Sequence, residues 1–431
     1  MPDQDLDFNI EQLGFCNYAS PMRGVRFTAD DERLLYHSRA EEMRPFVQSG
    51  QEPPSMELAG PRQQIYFDRH KLACGVVSCG GLCPGINNVI RAVVMSLYHH
   101  YGVRRILGFR YGFKGLVKRN GYPPVPLTPE AVNNISELGG TILASSRGPE
   151  DAAEMVDYLE ELGIGILFAI GGDGTLKGAG ALAAEVKRRG LALSVIAIPK
   201  TIDNDISFVN KTFGFETAVA EAQRAIDAAH AEAAGALNGM GLVKLMGRDS
   251  GFIAAHATLV SGQVNFCLVP EVDIDPQIFL QQLQARLERR GHAVIVVAEG
   301  AGQDLMQLSG QQDSSGNAKL GDIGTWLRDA IKGYFAELGA DVTLKYIDPS
   351  YIIRSQAANA SDSAFCLLLG HNAVHAGMSG RTNMVMGSWN NQFTHVPIEL
   401  ATRQRKKLDT AGWFWSSVLA STGQQGEIAE S

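Results

Sequence analysis

An α/β fold of two doubly wound parallel-sheet lobes, preceded by an N-terminal extension, is the architecture the sequence predicts. From Leu72 onward the chain repeats one unit: an apolar run, a glycine-rich loop, then an amphipathic stretch with helical spacing. The apolar runs, among them IGILFAI (residues 164–170) and LSVIAI (193–198), lack polar alternation, as strands buried on both faces do. Glycine-bearing or charged loops follow these runs at once, at the strand ends where open α/β sheets bind ligands.

Taken in order, residues 1–70 are polar, carry Pro53, Pro54 and Pro61, and read as an extension with one short helix at 31–43. Residues 71–210 form the first, nucleotide-binding lobe. It has strands at LACGVVS (72–78), VRRILGF (103–109), 163–170 and 193–198, and a helix opening near Ile86. Residues 211–400 form the second lobe, which the motifs below assign to the acceptor substrate, with the chain free to cross between lobes. Its helices are expected at 212–237, 250–261 and 360–377, and its strands at 241–245, 266–270, 293–298 and 342–347. The segment 302–321, containing DSSGN, has loop composition, and 401–431 is a C-terminal tail.

A chain of 431 residues, 45% hydrophobic and 19% charged, can bury two cores. Its net charge of -8 argues against a general nucleic-acid or membrane-surface role, and the one basic run, RQRKK at 403–407, reads as a solvated face. No apolar stretch approaches the roughly 20 residues of a membrane span. The six cysteines fit reduced thiols in a cytoplasmic protein. Cys79 and Cys83 have the spacing of half a zinc site whose other half is missing, and His371 with His375 reads as a packed or solvated pair on one helix face.

Two loops carry the chemistry. In GGDGT (171–175), Gly171 and Gly172 admit a phosphate chain, and Asp173 can hold Mg²⁺ bridging phosphates or can cap a helix starting at Thr175. Gly174 leaves space where a side chain would obstruct a nucleotide's inner phosphate. In PKTIDND (199–205), Lys200 offers a charge to a moving phosphoryl group, Thr201 a hydroxyl, Asp203 a base for a sugar hydroxyl, and Asp205 a second carboxylate. A third loop, SCGGLCPGINNVIR (78–91) with Gly81 at its centre, sets backbone N–H groups at a helix start, which suits an anion or simply makes a turn. Such a GGDGT loop recurs in nicotinamide-dinucleotide and lipid kinases, and PKTIDND argues against those.

Together these pieces resemble the phosphofructokinase family between about residues 72 and 387, where GGTILASSRG (139–148), LMGRDSGFIA (245–254), VVAEGAG (296–302) and KYIDPSYIIRS (345–355) also match, in the family's order. The likeness is greatest to the long ATP-dependent enzymes of plant and trypanosome type, which are related to pyrophosphate-dependent ones. The resemblance implies ATP and fructose 6-phosphate as substrates, Mg²⁺ on Asp173, and Gly81, Arg147, Gly172, Gly174 and Thr175 around the nucleotide. It also implies that Asp203 deprotonates the sugar 1-hydroxyl while Lys200, Thr201 and Arg147 stabilise charge. Met246, Gly247, Arg248 and Glu299 would hold the sugar, and Tyr351 and Arg354 its 6-phosphate, in a homo-oligomer (dimer or tetramer).

Two features of the family pattern pull apart over the donor. Pyrophosphate users carry Asp where Gly174 stands, which favours ATP here, whereas Lys200 is typical of the pyrophosphate lineage. The rival readings are therefore a pyrophosphate-dependent phosphotransferase and a non-catalytic regulatory subunit. The arginine that shorter bacterial enzymes place before the MGR strand has no counterpart in LNGMGLVK (237–244).

Overall fold

The computed structural model describes residues 6–306 and 319–424, so most of the expected 302–321 loop lies outside the described residues. The chain forms two compact units. One holds the described residues up to Thr201 with Ile206–Gly214 and Gln356–Arg405; the other holds Ile202–Asp205, Phe215–Ser355 and the described residues from Lys406 onward. The division is thus no single cut near residue 210: the stretch Gln356–Arg405 returns to the first unit.

The sheet of the first unit runs, edge to edge, Arg33–Leu35, Ser55–Leu58, Gln392–Pro397, Met384–Trp389, Ser194–Pro199, Ile164–Gly171, Ala73–Ser78, Arg105–Phe109, Val125–Pro126. Its five middle strands, Met384–Trp389 to Arg105–Phe109, are parallel, and the flanking strands at both edges are antiparallel. Every residue of Ala73–Ser78 and Ser194–Pro199 is buried, which is why these segments lack alternation. One face, through Val77, Leu167, Ala169, Val195 and Ala197, shares a core with Met155 and Leu159 of helix Ala152–Glu161 and Leu176 and Leu182 of helix Asp173–Arg189. The other face meets helix Ala360–Met378, whose Gly377 lies so close that a Cβ there would sit 2.9 Å from Ile166.

The N-terminal residues do not form the helix expected at 31–43. Arg33–Leu35 is a strand paired with Ser55–Leu58, and the helix follows at Ala40–Ser49. Long-range pairing that buries Met56 completely outweighs the local helical pattern. A charge cluster, buried except at Asp30, secures this edge: Glu57 accepts from Arg62 (2.8 Å) and Arg381 (2.7 Å), and Asp30 from Arg62 (3.0 Å) and Arg381 (2.6 Å). Burial alone would raise the Glu57 carboxyl, but His395, Arg381 and Arg62 hold it well below the usual carboxylate range.

The second unit carries a parallel sheet in the order Phe266–Leu268, His292–Ala298, Gly239–Leu245, Thr343–Ile347. One face packs through Leu242, Ile295 and Val297 on Leu283 and Leu287 of helix Pro276–Arg290 and Leu327 and Ile331 of helix Ile323–Glu337. Helix Phe215–Ala234 lies against the sheet at Gly241, where a Cβ would stand 2.8 Å from the Ala229 methyl. Only glycine permits that approach. Helix Phe252–Ser261 and a C-terminal helix, Trp413–Thr422, complete the unit.

Candidate active site

In the first unit, three strands end in loops that are tied to one another. Cys79 N–H donates to the Ile170 carbonyl (2.9 Å), Lys200 N–H to that of Gly171 (2.9 Å), and Gly80 N–H to that of Ser146 (2.9 Å). Ser145 Oγ closes the turn on the Gly80 carbonyl at 2.6 Å. These bonds bring Gly81, Arg147 and Lys200 together: Lys200 Nζ donates to the Gly81 carbonyl, and a Cβ on Gly81 would lie 3.2 Å from Arg147 Nη2. A Cβ on Gly172 would come within 3.3 Å of the Lys200 carbonyl, so the GGDGT and PKTIDND loops lie against each other. The Thr201 carbonyl is fixed by Thr212 Oγ1 at 2.6 Å.

Helix Asp173–Arg189 opens at Asp173, with Gly172 at its N-cap and no side-chain cap. Asp173 is therefore not the cap of a helix starting at Thr175. Its carboxylate instead faces two cations, Lys177 Nζ at 3.0 Å and Arg405 Nη2 at 3.5 Å. Thr175 is buried with its side chain tucked against Gly171, supporting the turn from within. Gly174, by contrast, has no atom within 4 Å of where a Cβ would be.

In the second unit, Glu299 N–H donates to the Leu245 carbonyl (2.8 Å) and Gly300 N–H to that of Gly247 (3.0 Å), joining the ends of strands Gly239–Leu245 and His292–Ala298. Gly247 has φ +125, and a Cβ there would stand 2.5 Å from the Ser250 carbonyl oxygen. Arg354 Nε approaches Met246 Sδ at 2.9 Å. Burial raises the Glu299 carboxyl above its usual range, against the opposing pull of Arg354, Lys244 and Arg248. Met246, Gly247, Arg248, Glu299 and Arg354 thus share one region. Tyr351, on the short helix Ser350–Ser355 that also carries Arg354, is 84% exposed. The Asp203 carbonyl accepts from Ser250 Oγ (3.3 Å), and that of the buried Asp205 from the Lys406 N–H (2.9 Å).

The basic run at 403–407 is a solvated face only in part: Arg403, Gln404 and Lys407 are exposed, but Arg405 and Lys406 turn inward. Arg405 reaches the Asp173 carboxylate, and Lys406 lies half-buried with Nζ 5.2 Å from the Phe252 ring centre. Burial pushes the Lys406 amine down to about 8, partly offset by Asp205. The histidine pair is packed: His375 Nδ1 lies 2.8 Å from the Tyr101 hydroxyl, and the His371 ring meets that of His100. Cys79 and Cys83 are both buried, the Cys79 thiol pushed up to about 12 by that burial. Among the described residues no three His, Cys, Asp or Glu side chains form a metal-holding group, and no helix is long and apolar enough to cross a membrane.

The parallel sheets, with glycine and carboxylate loops at their strand ends, make an α/β class of protein suited to phosphoryl transfer. The family model described as phosphofructokinase matches residues 73–377. The chain belongs to the phosphofructokinase family. It is 47% identical, over 98% of both chains, to a protein of Borreliella burgdorferi named ATP-dependent 6-phosphofructokinase. It is 44% identical to one of the same name from Trypanosoma cruzi, covering 98% of this chain and 89% of that one. The fold resembles the crystal structure of a pyrophosphate-dependent phosphofructokinase from Marinobacter aquaeolei, with a TM-score of 0.67, 20% identity, and coverage of 79% and 86% of the two chains.

Proposed function

We propose that this protein is an ATP-dependent 6-phosphofructokinase, moving the γ-phosphoryl group of ATP to the 1-hydroxyl of fructose 6-phosphate. The observation that carries the donor is the open space at Gly174, which leaves room for a nucleotide's α-phosphate. Full-length likeness to proteins named for this activity supports the reaction.

The first unit acts as the nucleotide-binding lobe, with Gly81, Gly172, Gly174 and Arg147 around the donor's phosphates and Thr175 bracing the turn. Lys200 and Arg147 bring positive charge to the group in transit, and Thr201 a hydroxyl. Asp203 takes the proton of the 1-hydroxyl and Asp205 orients the loop. In the second unit Met246, Gly247, Arg248 and Glu299 hold the sugar, and Arg354 its 6-phosphate.

Mg²⁺ prefers one or two carboxylates plus substrate phosphates to an all-protein cage, and a single carboxylate at a helix start fits that habit. Asp173 would hold it, and the ion would screen the donor's negative charge. Tyr351 and Ile352, 84% and 59% exposed beside Arg354, support a homo-oligomer in which that segment meets another copy. Free cysteines, all buried except the partly buried Cys16, suit the cytoplasm.

The placement of Lys200 favours a second reading, transfer from pyrophosphate, since its amine sits among the glycine loop and Arg147 where any phosphoryl donor would be met. One coupled assay with fructose 6-phosphate, run in parallel with ATP and with pyrophosphate, decides. ATP is expected to be preferred at least about tenfold in kcat/KM, about 1.4 kcal/mol. A preference for pyrophosphate overturns the donor, and turnover with neither overturns the enzyme.

A further inference from the structure

We propose that Arg405 is a donor-binding residue, its guanidinium placed to take a phosphate oxygen of the nucleotide at the GGDGT loop. This rests on the reading that the loop binds the donor. The sequence offers no motif for such a role, because Arg405 lies in a basic run far along the chain from the glycine loops.

Three observations place it there. First, the backbone is fixed independently of the side chain: Arg405 forms an antiparallel bridge with Ile206, and the Gln404 carbonyl accepts from Ser207 Oγ at 2.8 Å. The guanidinium therefore projects from a defined point next to the exit of the PKTIDND segment. Second, it ends 3.5 Å from Asp173 Oδ2, at the first residue of the helix whose second residue is the vacant Gly174. Third, the same oxygen already has a cation, Lys177 at 3.0 Å. A lone carboxylate on a helix N-terminus gains little from a second cation.

The two cations differ in kind. The Lys177 side chain is 59% exposed, whereas that of Arg405 is 29% exposed. An exposed lysine pair contributes little, but a pre-placed planar fork matches phosphate geometry. With Mg²⁺ held by Asp173, the guanidinium would lie beside the donor's phosphates.

The test compares wild type with Arg405→Met and Arg405→Lys, neither of which alters the main-chain bridge. Binding of ATP, with and without Mg²⁺, is measured by titration calorimetry in the absence of sugar, alongside KM values and thermal midpoints. Arg405→Met is expected to weaken ATP binding by about 10- to 100-fold and to leave KM for fructose 6-phosphate within about twofold, with Arg405→Lys between the two. Unchanged ATP affinity in Arg405→Met, whatever its thermal midpoint, shows that the residue only braces Asp173 and overturns the proposal. So does a rise confined to the KM of the sugar. If the wild type fails to phosphorylate fructose 6-phosphate, the functional reading falls, while the ATP titrations still decide the role of Arg405.

Discussion

Lys200 Nζ donates to the main-chain carbonyl of Gly81, joining the loop that follows strand Ser194–Pro199 to the loop that follows Ala73–Ser78. The lysine therefore holds the first glycine loop beside Arg147, in addition to the charge proposed for it. Lys200→Met is expected to lower kcat by about 10² to 10³ with either donor, in the range for removing one preorganised electrostatic partner. Steady-state rates at saturating substrates check this, and a kcat within threefold of wild type contradicts it.

Gly174→Asp tests the donor directly. The position is open, and an acid in the first helical turn suits the helix dipole, so the variant should fold with an unchanged thermal midpoint. Its kcat/KM for ATP should fall by at least about tenfold through overlap and like-charge repulsion at the α-phosphate. Undiminished use of ATP would show that the vacancy does not select the nucleotide.

Asp203→Asn keeps size and hydrogen-bonding reach but cannot take a proton. A kcat lower by about 10² to 10⁴, with KM values little changed, is the expected signature of a positioned base. Near-normal kcat at saturation transfers the role to Asp205.

Arg354→Ala should raise KM for fructose 6-phosphate strongly, by a few kcal/mol typical of a charged phosphate contact, and leave KM for ATP nearly unchanged. Light scattering and activity followed through a dilution series test whether another copy completes this segment. A fully active monomer with normal sugar affinity refutes the shared-site idea.

Acid should destabilise the first unit. Burial, reinforced by neighbouring histidines, holds His375 at about 3 and His371 at about 4, both below the ordinary value near 6.5. Between those values the unfolded chain binds more protons than the folded one. Stability therefore rises with pH across this window and is fully present above about pH 6.5, with a slope of about 1.4 kcal/mol per pH unit for each such histidine. His375→Gln should flatten the acid limb of a urea-denaturation series by about one proton, and parallel limbs would contradict it.

Central strands were legible because burial on both faces leaves an unbroken apolar run, and the glycine loops because their glycines follow those runs directly. The hairpin of Met384–Trp389 and Gln392–Pro397 was missed although its signal is present: Asn390 and Asn391 form the two-residue turn at φ +46 and +61. Arg33–Leu35 could not be read locally, because its strand exists only through Ser55–Leu58. Nor could Arg405, since a charge run looks the same whether it faces water or a carboxylate that the fold alone brings near. The residues proposed to hold the sugar were named through family likeness, as nothing local separates Arg248 from any arginine after a strand.

The strand order of the first unit has a consequence for biosynthesis. Strand Ser194–Pro199 is made early, yet its neighbour Met384–Trp389 and the links through Gln392–Pro397 to Ser55–Leu58 are made last. Between them the ribosome produces strands Gly239–Leu245 to Thr343–Ile347, a sheet complete in itself. The nascent chain thus carries an open parallel edge of fully buried residues through most of its synthesis, and a chain ending before Met384 would present that edge permanently. The same residues that make the catalytic framework rigid make its incomplete form prone to aggregate.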